Sequence, residues 1–492
     1  MKRFFTLCLC LLILAGCAQT APADSGTEEN PALNEAGSVS AEVTAAEPDE
    51  TRIPSGLPET DLEGFVFTML RSGSFFIEKG VWTEELTGDA VPDAIYDRNL
   101  YIEDCYNCKL EILESAAQHP SSGDVPTYVK SGDDTADMVL DGGQFIANSQ
   151  ENYRNMNALP YFEFSQPWWN REFNEGITIA GKLYFTIGAY MTTAKQNIYH
   201  IIYNKTIAEN YGIGANSFYD LVREDRWTLD RMAECAELVK SDLNGDGEYD
   251  TNDLWGLLGE NYVTWTMALG AGFRCAEKDA DDIPTVTFNS EQNVNILDKV
   301  MRLAGNRETT LFAQRMTGVD DVWKTLSELN NMSGRWLFRI GSLGNSLRDM
   351  EDDYGVLPSP KYDENQQRYY HDASLGNSPA SAIPISATDA SLSAFLMEAM
   401  SYESFYRVLP IFYENYLNTK LVRDEDSVEM LQIVHNSLYY DIGALFNWGD
   451  MRMIIENMSN GSENTLVTQY AKIAKVVQKQ VDKTVKKYEE GD

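Results

Sequence analysis

Residues 136–144 read Ala-Asp-Met-Val-Leu-Asp-Gly-Gly-Gln. A short apolar run closed by glycines is the spelling of a buried strand. The Asp141-Gly142-Gly143-Gln144 that ends it is a polar turn whose glycines let backbone approach a ligand. Upstream, Phe65-Val66-Phe67-Thr68-Met69-Leu70 reads as a first buried strand and Lys109-Leu110-Glu111-Ile112-Leu113 as a second. Between them the spacing of Val91, Ile95, Ile102 and Tyr106 predicts a helix over 91–106. Strand, helix, strand and a further strand predict an α/β sheet with parallel pairing. Ligands of such sheets bind at the carboxyl ends of the strands, which makes Asp141 and Gln144 candidates; the same spelling also suits a plain strand-to-helix turn.

Downstream, Leu183-Tyr184-Phe185 and 198–203 are strand-like, and Asn204-Lys205 opens a helix. Thr228 is a good N-cap for a helix carrying Met232, Ala236 and Val239. A strand over 354–358 is followed by a polar stretch, then by a helix from Asp389 to about 400 capped by Thr388. From there the chain reads as helical. Asp426-x-x-Glu429 resembles a capping box, and Ile473, Val477, Val481, Val485 and Tyr488 mark a last helix. Six lysines between 472 and 487 suit a solvated face of that helix.

The chain has 492 residues, enough for more than one folded unit, with 39 Lys and Arg against 76 Asp and Glu. A net charge of −37 repels phosphate backbones, so nucleic acid is excluded as a partner. The four histidines lie far apart in sequence, so no H-E-x-x-H motif exists. Lys2 and Arg3 precede an apolar run that ends in Leu14-Ala15-Gly16-Cys17. The run is too short to span a bilayer and suits an export signal. Its end resembles the bacterial lipobox, which implies cleavage before Cys17 and lipidation of that residue; an ordinary signal peptide with an incidental Cys is the alternative. Residues 18–51 carry eight carboxylates and no Lys or Arg, and 18–64 hold no aromatic residue, so 17–62 reads as a flexible acidic tether. Cys105 and Cys108 form a C-x-x-C after the helical pattern rather than before it, which suits incidental thiols better than a redox pair.

Residues 242–253 read Asp-Leu-Asn-Gly-Asp-Gly-Glu-Tyr-Asp-Thr-Asn-Asp. Oxygen ligands fall at the EF-hand positions one, three, five, nine and twelve: Asp242, Asn244, Asp246, Asp250 and Asp253. Gly247 sits where the loop must turn, and Glu248 offers its carbonyl at seven. An EF-hand has Glu at twelve; Asp253 is shorter. A structural Ca²⁺ is expected here, against the plainer reading of an acidic surface loop.

Several segments resemble family 1 extracellular solute-binding proteins, the group that includes maltose-binding protein. They are the lipobox, Asp137-Met138-Val139-Leu140 with its Gly-Gly turn, and Gly181-Lys182-Leu183-Tyr184 leading to Tyr203-Asn204-Lys205. Trp227-Thr228-Leu229-Asp230, Gly334-Arg335-Trp336 and Tyr354-Gly355-Val356-Leu357-Pro358 complete the set. The resemblance implies a two-lobed α/β fold of the type II periplasmic-binding-protein class, with hinge strands near 198–203 and 354–360 and a helical C-terminal part. Lobe one would hold 63–200 and 358–400, and lobe two 201–357 and 401–492. A sugar or oligosaccharide would sit in the cleft, delivered by a monomer, lipid-anchored at the outer face of the membrane, to the permease of an ABC transporter.

By position in the family pattern the ligand-binding candidates are Asp141 and Gln144 from lobe one and Asn197 at the hinge. Tyr262, Trp265 and Trp336 follow from lobe two, with Trp448 from the helical tail. Aromatic faces stack on sugar C–H faces and planar polar groups meet the hydroxyls. Each aromatic also suits core packing. Trp168-Trp169, beside Pro167, is assigned to anchoring rather than binding. The rival readings are a surface glycoside hydrolase, which needs two carboxylates across a cleft, and a sensor presenting a bound sugar to a receptor. No nucleophile elbow, P-loop or dinucleotide motif is present to suggest other enzymes.

Overall fold

A computed structural model describes residues 52–73, 80–196, 198–332, 334–343, 347, 350–373, 379–418 and 422–491. The export signal, Cys17, the tether through 51, and Asn197 lie outside the described residues.

The strands are Phe65–Arg71 (β1), Cys108–Glu114 (β2), Met138–Gly142 (β3), His200–Asn204 (β4), Trp255–Gly259 (β5), Ala276–Lys278 (β6) and Pro284–Val286 (β7). Thr310–Phe312 (β8), Trp336–Gly341 (β9), Tyr354–Leu357 (β10), His371–Asp372 (β11), Pro379–Ala382 (β12) and Leu438–Tyr439 (β13) follow. Two sheets result. The first, of four strands, has the order β12-β3-β1-β2. Its β1 runs parallel to both β2 and β3, and β12 closes the edge antiparallel to β3, with Pro379 opposite Gly142. The second, of five strands, has the order β10-β4-β9-β5-β8. Its β5 is parallel to β8 and β9, while β4 runs antiparallel between β9 and β10. This is a two-lobed α/β fold, each lobe built on its own sheet.

Local chemistry explains the elements. β3 is buried at every position, as expected of a strand covered on both sides. The helix Ala90–Tyr106 stops at Asn107, whose φ of 48° is left-handed and whose N–H bonds the Glu103 carbonyl, so β2 starts at once. Asn204 and Thr228 cap their helices through side-chain oxygens that accept Ile207 and Arg231 N–H. Three expectations need correction. Leu183-Tyr184-Phe185 is buried but joins no sheet; Leu183 N–H goes to Asn155 Oδ1 and its carbonyl accepts Met156 N–H, and only Thr186 bridges to Ser381. Asp389 rather than Thr388 caps Ala390–Glu403, accepting Leu392 N–H at 3.0 Å, while Thr388 turns to Asp134. Asp424 rather than Asp426 caps Glu425–His435, since its carboxylate meets Ser427 N–H at 2.6 Å.

The chain passes from the first sheet to the second between β3 and β4, and back between β10 and β12. Residues 404–411, expected with lobe two, pack on the first lobe: Val408 is buried with Ala94 and Ile95, and Arg407 lies over the Tyr101 ring. The last helix, Leu466–Glu490, touches both lobes. Asn464, just before it, binds the Val294 carbonyl, and at its end Tyr488 meets Tyr184 edge-on at 4.8 Å. Three of the four histidines gather at the crossings. His200 opens β4, His371 opens β11, and His435 ends Glu425–His435 just before β13, the strand that pairs with β11. The ring of His200 lies 6.4 Å from that of His371 and 6.5 Å from that of His435. Among the described residues no helix is long and apolar enough to cross a membrane.

Candidate functional site

At the carboxyl ends of β5 and β9, beside the first crossing, lies a cavity of about 540 Å³. The strand-to-helix turn after β5 supplies Glu260, Asn261 and Tyr262; β9 supplies Arg339; the helix Met451–Met458 supplies Arg452 and Glu456. Tyr199, from the segment entering β4, completes the floor by stacking on Tyr262, ring centroids 4.5 Å apart and planes 20° from parallel. Tyr262 is fixed a second time, its hydroxyl donating to the Ile340 carbonyl at 2.9 Å. Asn261 is held through its side-chain amide, 3.2 Å from Asn457 Oδ1.

The charges are balanced. Burial pulls the Arg339 pKa down to about 10, which leaves the guanidinium protonated at neutral pH. Burial would lower Arg452 as well, but the carboxylates of Asp372 and Glu456 more than offset it, and Arg452 Nε meets Glu456 Oε1 at 2.7 Å. Burial, and then the neighbouring Glu456, push the Glu260 carboxyl upward. The arrangement is an aromatic floor with planar groups of both signs at its rim, able to take a neutral, hydroxyl-rich molecule through paired hydrogen bonds and C–H stacking.

Of the residues singled out in the sequence, Tyr262 lines this cavity. Trp265 is fully buried in a helix whose every residue from Val263 to Gly270 is buried, so its ring belongs to the core. Trp336 starts β9, about 17 Å along the strand from the cavity end at Gly341; it is buried and its indole donates to the Leu329 carbonyl at 3.2 Å. Trp448 is buried beneath the last helix, donating to Thr484 Oγ1 at 3.1 Å and stacked on Phe446. Asp141 is buried and committed: Oδ1 lies 2.9 Å from His119 Nδ1 and Oδ2 accepts Ser121 N–H at 3.0 Å, tying the 119–122 turn to β3. Burial pushes its carboxyl up, and these hydrogen bonds oppose the rise. Gln144 is half-buried in the first turn of Gly143–Ala147, next to Phe145, which stacks on His119. Trp168 and Trp169 are anchors, both indoles donating to Glu398, at 2.6 and 2.8 Å. Sequence reasoning missed Tyr199, Glu260, Asn261, Arg339, Arg452 and Glu456. The usable signal was the polar pair directly before Tyr262, at the end of a strand.

The loop 242–253 turns as its glycines require, Gly245 and Gly247 having φ of 76° and 84°. Asp242 accepts Gly245 and Gly247 N–H at 2.6 and 2.8 Å, and buried Asp253 accepts Leu243 and Asp250 N–H at 2.9 and 2.8 Å. The donors are hard oxygens, the type Ca²⁺ takes. Their carboxylates meet backbone N–H groups here, and among the described residues no group of three or more His, Cys, Asp or Glu is gathered around one metal position. Cys105 is exposed and Cys108 buried, its thiol pushed up to about 12 by burial, which is inert chemistry.

No protein-family model matches the chain, and no curated protein sequence matches it. Solved structures do. A cyclo/maltodextrin-binding protein complexed with maltotetraose aligns at a TM-score of 0.55 and 12% identity, over 87% of this chain and 98% of that one. The sugar-binding protein MalE from Xanthomonas citri aligns at 0.54 and 13%, over 86% and 98%. An ABC substrate-binding protein from Listeria monocytogenes in complex with cycloalternan aligns at 0.50 and 13%, again over 86% and 98%. The chain therefore has the two-lobed fold of these ABC substrate-binding proteins.

Proposed function

We propose that the protein captures a sugar or oligosaccharide in the cavity between β5, β9 and the first crossing, and delivers it to the permease of an ABC transporter. The observation that carries the reading is the stacked Tyr199–Tyr262 pair ringed by Arg339, Arg452, Glu260 and Glu456. The neighbours of like fold are binding proteins whose complexes hold maltotetraose and cycloalternan, which supports the same ligand class here. Movement of the lobes about the crossings is the signal a permease would read. Cys17 would carry the lipid that holds the protein at the outer face of the membrane, with the acidic segment to residue 62 as tether. Asp242, Asn244, Asp246, Glu248, Asp250 and Asp253 would hold a structural Ca²⁺, which supplies rigidity to the loop rather than chemistry.

The test is thermal unfolding against a panel of mono- and oligosaccharides with product analysis of the same samples. A ligand at 100 times its Kd adds about 2.7 kcal/mol, enough to move a melting curve. A shift with intact sugar, lost in Arg452→Ala and Tyr262→Ala, supports capture. Consumption of the sugar supports the hydrolase, and a shift with peptides alone overturns the carbohydrate assignment.

A further inference from the structure

Of the nine tryptophans, Trp323 is the one that stands exposed among the described residues, at 58%. It sits in the helix Val322–Asn331, whose Leu326 and Asn330 line the proposed sugar cavity. Positions 323, 326 and 330 follow the i, i+3, i+7 spacing of one helical face. The face that walls the cavity therefore continues outward to an indole. The backbone that carries the indole is anchored: Asp321 caps the helix by accepting Trp323 and Lys324 N–H, both at 3.0 Å. A large apolar ring left mostly in water costs solubility, whereas an aromatic face beside a hydroxyl-binding cavity suits the C–H face of a pyranose.

We propose that Trp323 is an outer stacking subsite and that the site is built for an oligosaccharide. Seven helical steps take the chain from Trp323 to Asn330, about 10 Å along the axis. One pyranose ring does not bridge that distance; a chain of rings does. Leu326 lies between them as the apolar wall a sugar chain would follow. The inference rests on the sugar reading of the cavity and adds to it a length requirement and the residue that enforces it.

The experiment is calorimetric titration of the full chain and of Trp323→Ala and Trp323→Phe with glucose, maltose, maltotriose and maltotetraose, and with the cello-series of the same lengths. The expected result is affinity that rises with length in the wild-type protein, an approximately tenfold loss for the longest sugars in Trp323→Ala, no loss for the shortest binder, and substantial rescue by phenylalanine. Equal losses at all lengths, no loss at any length, or a wild-type protein that binds one ring as tightly as its oligomers overturns the subsite and leaves the sugar reading intact. A wild-type protein that binds neither series nor any other sugar of the panel above refutes the sugar reading, and the subsite with it; where another sugar binds, its own length series gives the same two outcomes.

Discussion

Replacing His435 by glutamine should change how stability depends on pH, and the size of the change follows from its surroundings. The half-buried ring sits at the end of Glu425–His435, beside Tyr413 and within reach of the Lys195 charge, with His200 6.5 Å away. Burial, then Lys195, holds its pKa down at about 4 against 6.5 in the unfolded chain. Between those values the folded protein keeps the ring neutral while the unfolded chain binds a proton. The stabilising contribution is therefore complete above about pH 6.5 and falls by about 1.4 kcal/mol per pH unit as the medium is acidified, some 3 kcal/mol in all by pH 4. His371 is held at about 3 by burial and by His435, and His200 is lowered by burial and by both other rings, so three such slopes run together. Denaturant unfolding of wild type and His435→Gln at pH 7, 6 and 5, at one ionic strength, isolates the term. The variant carries a constant packing cost, but the gap between the two should move in its favour by about 2 kcal/mol from pH 6.5 to 5. Stability curves that stay parallel within about 0.5 kcal/mol would show that His435 takes up its proton in the fold as readily as in the unfolded chain, and would refute the neutral histidine cluster at the crossings.

Other consequences are more local. Asp424 caps Glu425–His435 and also meets buried Lys205 Nζ at 2.7 Å; Asp424→Ala should cost about 3–5 kcal/mol, and Asp424→Asn about 1 kcal/mol less because an amide oxygen still caps, so equal costs would remove the cap from the account. Glu398 behaves oppositely to His435: burial pushes its carboxyl up to about 7, so the folded state holds its proton where the unfolded chain has lost it, and its contribution declines from about pH 4.5 to 7. Glu398→Gln should flatten that decline, measured by the same unfolding series, and an unchanged pH profile would refute the assignment. Asp246→Ala should abolish the heat of Ca²⁺ binding to chelator-treated protein while leaving its metal-free stability within about 0.5 kcal/mol; a wild-type protein that gives no heat would leave the loop as an acidic turn.

What the sequence revealed and what it hid divide along a physical line. β3 was legible because a strand covered on both faces draws on apolar residues, here Met138-Val139-Leu140, and the caps at Asn204 and Thr228 because each satisfies a backbone N–H three residues away. The capping box at Asp426 was misread because Asp424 and Asp426 both suit a helix start; which one caps is decided by Arg223, which draws Asp426 into an ion pair, and by Lys205, which comes from another element. The site was hidden for the same reason on a larger scale. Tyr199, Tyr262, Arg339 and Arg452 come from a crossing, a strand-to-helix turn, a strand and a late helix, and no spacing rule joins them. Tryptophans drew attention because sugars stack on rings, yet a ring large enough to stack is also the most rewarding side chain to bury. Trp265, Trp336 and Trp448 were taken by the core, Trp336 against the helix just before its strand and Trp448 beneath the last helix. What distinguishes a binding ring is that nothing covers it, and that property belongs to the neighbours rather than to the residue. Tyr199 and Tyr262 are half-buried and stacked on each other at the cavity floor, whereas Trp323 stands open on the outer helix, so the exposed ring is the one whose removal can discriminate between ligands without disturbing the fold.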